Sequence, residues 1–154
     1  MITFSAVHAD LIPGLVAGLA SEDRVELSRR GLASPVDAIR DAVAASSEAF
    51  MASWGGEVRA VFGVAEYRGV RSEGMPSIGV PWLLCAPPPP AVQMEFMRRA
   101  EEIMARWRRA FPVLVGSVDA ERTRARRWLF SLGFERHTLQ QHNGFTFIEF
   151  GDHL

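Results

Sequence analysis

Two rhythms of apolar residues run through this chain, one of period two and one near 3.6, and their succession predicts an order of elements. Ile2, Phe4 and Ala6 alternate and predict a strand over Ile2–Val7. Leu11, Leu15, Val16 and Leu19 recur at helical spacing over Asp10–Ala20, with Pro13 tolerable in the first turn. Glu22–Arg30 reads as a second short helix or a turn. Ser34-Pro35 is a cap followed by a proline at the first helical position, and Val36, Ile39 and Val43 form the stripe of the helix it starts. Ala49–Trp54 and Val58–Tyr67 are strands joined by Gly55-Gly56, a hairpin signal. A turn-rich loop over Arg68–Pro76, expected to be mobile, leads to a strand over Ser77–Cys85. Pro81 inside that strand implies an edge, a bulge or a splayed position.

Pro87 to Pro90 then give a rigid start to a long helix over Ala91–Ala110. Phe96, Ala100, Ile103, Met104, Trp107 and Phe111 supply its stripe, which reads as core packing. Pro112 ends it. Val113, Leu114, Val115 and Val118 make a strand covered on both faces. Asp119 is placed to cap a short helix whose buried face is Ala125, Trp128, Leu129 and Leu132, and Gly133 can close it in the left-handed conformation. Arg136–Gln140 and Gly144–Phe150 are a last pair of strands around Gln141-His142-Asn143-Gly144. The expected order is β-α-α-β-β-β-α-β-α-β-β, an α+β fold with a mixed sheet in one domain spanning the chain.

Composition narrows the classes. The 154 residues, 48% of them hydrophobic, suit one domain with a sizeable core and exclude wholesale disorder. No apolar run reaches membrane-spanning length. The first residues, MITFSAVHADL, have no basic region and no signal-peptide pattern, so a cytoplasmic location is expected. A single cysteine, Cys85, excludes an intramolecular disulfide and a cysteine-based zinc cluster. His8, His137, His142 and His153 lack ligand spacing, so no metal is expected. Neither a G-x-S-x-G elbow nor a phosphate-binding G-x-x-x-x-G-K is present.

Every basic residue is arginine, and the charge is unevenly spread. The formal net charge is −1, but residues 1–97 carry −4 and residues 98–136 carry +5. Arg98, Arg99, Arg106, Arg108 and Arg109 flank the stripe of the long helix, and Arg122, Arg124, Arg126 and Arg127 that of the last one. A solvated face with Glu101 and Glu102 as partners accounts for them. The alternatives are a surface for an acidic protein partner or, less in keeping with the few interleaved aromatics, for nucleic acid.

The stretch VLVGSVDAERTRARRWLFSLGF, at Val113–Phe134, resembles the last motif block of the GCN5-related N-acetyltransferases (GNATs), and the predicted order of elements is similar to theirs over nearly the whole chain. FGVAEY, GVPWLL, the arginine-rich helix ending RRAFPVLVGSVDA, and RRWLFSLGF together resemble the small GNAT-like proteins encoded among virion-assembly genes of podophages and prophages. The resemblance implies a mostly antiparallel central sheet with helices on both faces and a splay between the fourth and fifth strands. It also implies a phage or prophage protein acting in virion assembly or associated with the particle, with phage structural proteins as partners. The host cytoplasm or the virion is then its place.

The family's chemistry maps onto this sequence unevenly. Its glycine-rich pyrophosphate turn, Q/R-x-x-G-x-G/A, falls on LLCAPPPPAVQMEF, which has no glycine and four consecutive prolines without a backbone donor. Its asparagine near the start of the last helix falls on Arg122, and its tyrosine general acid on Leu129, which has no proton to donate. Ala125 matches the small packing residue. The expectation is a catalytically degenerate fold that requires no cofactor. The alternative is an active N-acetyltransferase using acetyl-CoA or another acyl-CoA, with Glu66, Tyr67 and Cys85 as the candidate catalytic residues. Leu84, Cys85, Ala91, Val92, Gln93, Met94 and Arg122 would then line the cofactor, the free amides around Val92 to Met94 meeting an anion.

Overall fold

A computed structural model describes residues 1–69 and 73–152. The strands are β1 (Thr3–Ala6), β2 (Ser46–Trp54), β3 (Glu57–Glu66), β4 (Ile78–Cys85), β5 (Val113–Asp119), β6 (Glu135–His142) and β7 (Phe145–Gly151). The helices are α1 (Ile12–Ala17), α2 (Ser21–Arg29), α3 (Pro35–Ala45), α4 (Pro90–Ala110) and α5 (Thr123–Ser131). One seven-stranded sheet runs in the order β1-β2-β3-β4-β5-β7-β6. All its pairs are antiparallel except β4 with β5. The α+β class and the mixed, mostly antiparallel sheet are as expected.

Several local details differ. The region over Asp10–Ala20 is a 3-10 turn at Ala9–Leu11 followed by a six-residue α1, because Pro13 and Gly14 limit the ladder and Gly18 ends it. Glu22–Arg30 is a true helix, one more than the expected order held. Of the loop over Arg68–Pro76, residues 70–72 lie outside the described residues, as does His153.

Both hairpins turn on pairs with positive φ, Gly55-Gly56 (63° and 79°) and Asn143-Gly144 (51° and 81°), the conformation that matches strand twist. Ser34 Oγ accepts the Asp37 amide at 3.3 Å, as its capping position implies.

Two apolar cores sandwich the sheet. On one face α4 and α5 cover Ala52, Phe62, Leu114, Val118, Ile148 and Phe150. Phe62 is the hub, with ring centroids of Phe4 at 5.1 Å, Phe50 at 5.6 Å, and Phe96 and Trp107 both at 6.3 Å. On the other face Ile12, Leu15, Leu27 and Ile39 from α1, α2 and α3 cover Met51, Val61 and Leu84. The helix α5 closes as its sequence predicts. Gly133 (φ 90°) donates to the Phe130 carbonyl and Phe134 to that of Leu129, both at 3.1 Å, the paired bonds of a Schellman motif.

Candidate functional site at the splay between β4 and β5

The strands β4 and β5 pair only at their beginnings, Ile78 with Val113 and Gly79 with Leu114. Gly79 permits that approach, since a Cβ there would stand 2.8 Å from Leu114 and Phe111 side-chain atoms. Beyond it the strands part. Tyr67 donates to the Ile78 carbonyl and Ala86 to that of Arg59, so even-numbered residues of β4 bond to β3. Gly79, Pro81, Leu83 and Cys85 therefore direct their backbone groups toward β5. Pro81 pairs with Val64 at no cost to that ladder and lacks an amide only on the open side, which explains a proline inside the sheet. Across the gap, Ala120 donates to Thr146 and Asp152 to Leu114, so Val115, Ser117 and Asp119 turn their backbone groups toward β4.

The helix α2 reaches both open edges toward their C-terminal ends. At its N-terminus the Ala20 amide donates to the Cys85 carbonyl at 3.0 Å. Asp23 Oδ2 accepts the Cys85 amide at 2.9 Å. Glu26 Oε1 accepts the Asp119 amide at 2.7 Å. Arg30 donates to the Ser117 carbonyl at 2.8 Å and to its hydroxyl at 3.0 Å. Asp23, Glu26 and Arg30 stand at i, i+3 and i+7 and so share one helix face. Their side chains supply partners to the Cys85 and Asp119 amides and the Ser117 carbonyl, which have no neighbouring strand on that side.

Arg122 locks the arrangement from the start of α5. Its guanidinium lies 2.9 Å from Asp23 Oδ1 and 3.4 Å from Glu26 Oε2. Arg29 bridges Asp119 at 2.9 Å and Glu121 at 2.8 Å. Asp119 thus differs from its expected role: its carboxylate accepts the Glu121 amide two residues on and the Arg29 guanidinium, while Arg122 stands at the N-cap of α5 with no side-chain cap bond. The β6–β7 hairpin holds the other end of α2. Asn143 donates to the Arg29 carbonyl, His142 Nε2 meets that of Arg30, and Arg29 and Arg30 lie over the rings of Phe145 and Phe147. An open cavity of about 610 Å³ adjoins this junction, lined by Arg30, Leu32, Ser117, Gln140, Gln141, His142 and Phe147.

Burial shapes the electrostatics. Asp23 is 3% exposed, and desolvation raises its pKa above the ordinary carboxylate value against the opposing pull of the Cys85 amide and Arg122. The Cys85 thiol is pushed up to about 12, first by burial and then by the Asp23 carboxylate. A thiol so placed is a poor nucleophile.

The structure distributes the sequence-predicted residues as follows. Glu66 and Tyr67 lie at the closed end of the splay, opposite Gly79 and Ile78, and both are exposed. Cys85 lies at the far end of β4, opposite Ala60, so the three candidate catalytic residues are not brought together. Leu84 turns into the core beneath α1–α3, and Cys85 packs toward α4. Ala91, Gln93 and Met94 are exposed on the first turns of α4, whose N-cap is Pro89. The Gln93 amide is not free, because it already donates to the Pro89 carbonyl at 2.9 Å as the first helical bond; the first-turn donors are those of Ala91 and Val92. Of the predicted residues, Arg122 by its side chain and Cys85 by its backbone are at the heart of the site. Arg122's carboxylate partners Asp23 and Glu26 were missed, although their i, i+3 spacing in SEDRVELSRR was visible.

The proline turn offers no nest of donors to a pyrophosphate, and the open-side backbone groups of Cys85 are already paired within the chain. Among the described residues no group of three His, Cys, Asp or Glu side chains converges to hold a metal, and no helix is long and apolar enough to cross a membrane.

No protein-family model matches the chain, and no curated protein matches its sequence. Solved structures do match its shape. An aminoglycoside acetyltransferase, AAC(6')-Ib, in complex with coenzyme A is similar at 15% identity and a TM-score of 0.69, covering 99% of this chain and 94% of that one. A ribosomal-protein-alanine N-acetyltransferase from Brucella melitensis is similar at 17% identity and a TM-score of 0.69, covering 99% of each chain. An acetyltransferase of the GNAT family from Streptococcus agalactiae is similar at 12% identity and a TM-score of 0.63, covering 98% and 94%. With its mixed seven-stranded sheet, its splay between β4 and β5 and helices on both faces, this chain has the fold of the GNAT acetyltransferases.

Proposed function

We propose that this chain is a non-catalytic GNAT-fold protein that works by binding other proteins, in the setting its sequence motifs resemble: the assembly or the particle of a phage or prophage. The observation that carries this reading is the occupied splay. Asp23 and Glu26 of α2 and Arg30 just after it already engage the Cys85 amide, the Asp119 amide and the Ser117 carbonyl on the open edges of β4 and β5, and Arg122 pins the two acids. Opening that gap would strip partners from buried backbone groups, at about 1–3 kcal/mol for each group left unsatisfied. The proline turn and the leucine at position 129 support the same reading.

An active acyltransferase is the second reading, favoured by the likeness to a structure solved with coenzyme A. Titration calorimetry with acetyl-CoA and with coenzyme A separates the two. The proposal expects no heat of binding at ligand concentrations into the millimolar range. Micromolar binding abolished by Val92→Pro, which removes one of the two first-turn donors, would overturn it.

A further inference from the structure

We propose that the outward row of α5, together with the neighbouring face of β6, docks an acidic protein segment bearing apolar anchor side chains. Arg124, Arg127 and Phe130 succeed one another at i, i+3 and i+6, so adjacent members are neighbours along the exposed side of the helix. Phe130 is 74% exposed, the most exposed aromatic residue among those described. On β6, Leu139 is 54% exposed and pairs with Ile148, which lies in the core beneath α4 and α5; Arg136 pairs with Phe150 of the same core. Cross-strand partners share a face, so Arg136 and Leu139 stand on the α5 side of the sheet.

Charge says what would cover this face. The guanidiniums of Arg124, Arg127 and Arg136 have no hydrogen-bond or ion-pair partner among the described residues, whereas those of Arg29, Arg30, Arg106, Arg108 and Arg122 are all engaged. Residues 122–134 contain no carboxylate at all. Three unengaged guanidiniums interleaved with an exposed Phe and an exposed Leu are complementary to carboxylates interleaved with apolar side chains. Arginine and large aromatic residues are also the types that dominate binding energy at protein interfaces. One aromatic ring offers little to stack a succession of bases, which favours protein over nucleic acid. The surface is separate from the splay, so it stands whether or not acyl-CoA is bound.

The test is fluorescence anisotropy with a labelled peptide of alternating glutamate and leucine, at low and at physiological salt, on the full chain. Binding is expected to weaken as salt rises and to fall roughly tenfold or more on the double change Arg124→Glu, Arg127→Glu. It is expected to fall also on Phe130→Ser and to be unchanged by Arg40→Glu, an exposed arginine on α3. All these sites are exposed, and unchanged circular dichroism confirms folding. No binding at low salt overturns the proposal. So does an equal loss on Arg40→Glu, which would mean non-specific attraction, or indifference to Phe130→Ser, which would leave charge alone. Tighter binding of duplex DNA than of the peptide, lost on the same arginine changes, would assign the face to nucleic acid instead.

Discussion

The Asp23 carboxylate accepts the Cys85 amide at 2.9 Å, bridging a helix and a strand that stand 62 residues apart in sequence. The same carboxylate holds Arg122 at 2.9 Å, so one buried acid ties α2, β4 and the start of α5 together. Asp23→Ala would strand both a buried amide and a partly buried guanidinium. The expected loss is about 3 kcal/mol, read as a shift of the urea midpoint. A loss under ~1 kcal/mol would mean that water replaces the carboxylate and that the splay is not bolted.

Cys85 offers a chemical readout of the same contact. With its thiol pushed up to about 12 by burial and by Asp23, the thiolate is scarce at pH 8. Iodoacetamide is expected to modify the native protein far more slowly than the urea-unfolded chain. Asp23→Ala removes one cause of the upward shift and opens the site, so modification should accelerate. Equal rates for native and unfolded protein would refute the placement of Cys85.

Glu48 predicts an acid-sensitive contribution. Its burial pushes the pKa up, but hydrogen bonds from Arg106 and Trp107 outweigh that and hold it below 4.5. A carboxylate with a depressed folded pKa stabilises above its unfolded value, and that contribution is lost as pH falls through the folded one. Stability of the native chain should therefore drop more steeply below pH 4.5 than that of Glu48→Gln. The two should run parallel between pH 6 and 8. Identical acid limbs would show that the Glu48 contacts are not held in solution.

Two tryptophans on the same face of the sheet are expected to respond differently to loss of the indole N–H. Trp107 is 2% exposed and its Nε1 donates to Glu48 at 3.0 Å. Trp128 is half-buried, and its Nε1 is the one buried side-chain polar atom without a partner among the described residues. Trp107→Phe should cost about 2 kcal/mol, from a lost hydrogen bond and a small cavity. Trp128→Phe loses no bond and should cost less than ~1 kcal/mol. Thermal melts of the two variants check the ranking; the reverse order would mean that the face of α5 is misassigned.

Gly133 tests the closure of α5. Nothing lies within 4 Å of a Cβ built there, so Gly133→Ala meets only the strain of a positive φ, about 1 kcal/mol. A stabilised variant would show that the turn does not hold the left-handed conformation.

Much of this architecture was legible before any coordinates. The stripes of α3 and α4, the Ser34-Pro35 start, the two glycine-bearing hairpins and the stop at Leu132-Gly133-Phe134 are local signals. Each rests on periodicity or on a backbone conformation that few residues adopt, so the sequence carries it without reference to distant neighbours. Pro81 even announced an irregular edge, though not which one. The shortening of α1 was less legible, because Pro13, Gly14 and Gly18 weaken a helix whose apolar spacing persists beyond it.

The candidate site was largely illegible, and for a physical reason. Asp23, Glu26 and Arg30 look like the solvated side of a short polar helix, and only the packing of α2 across the splay makes them partners of Cys85, Asp119 and Ser117. Whether an acid is exposed or 3% exposed depends on what the rest of the chain lays over it, and no local pattern encodes that. The sequence alone determined most of the elements, the strand order that gives this fold and the absence of a glycine turn before α4. Tertiary structure alone decided that Cys85, Ser117 and Asp119, at the parted ends of β4 and β5, are met by side chains from α2 and its C-cap, because buried backbone groups must find partners and α2 is where the chain supplies them.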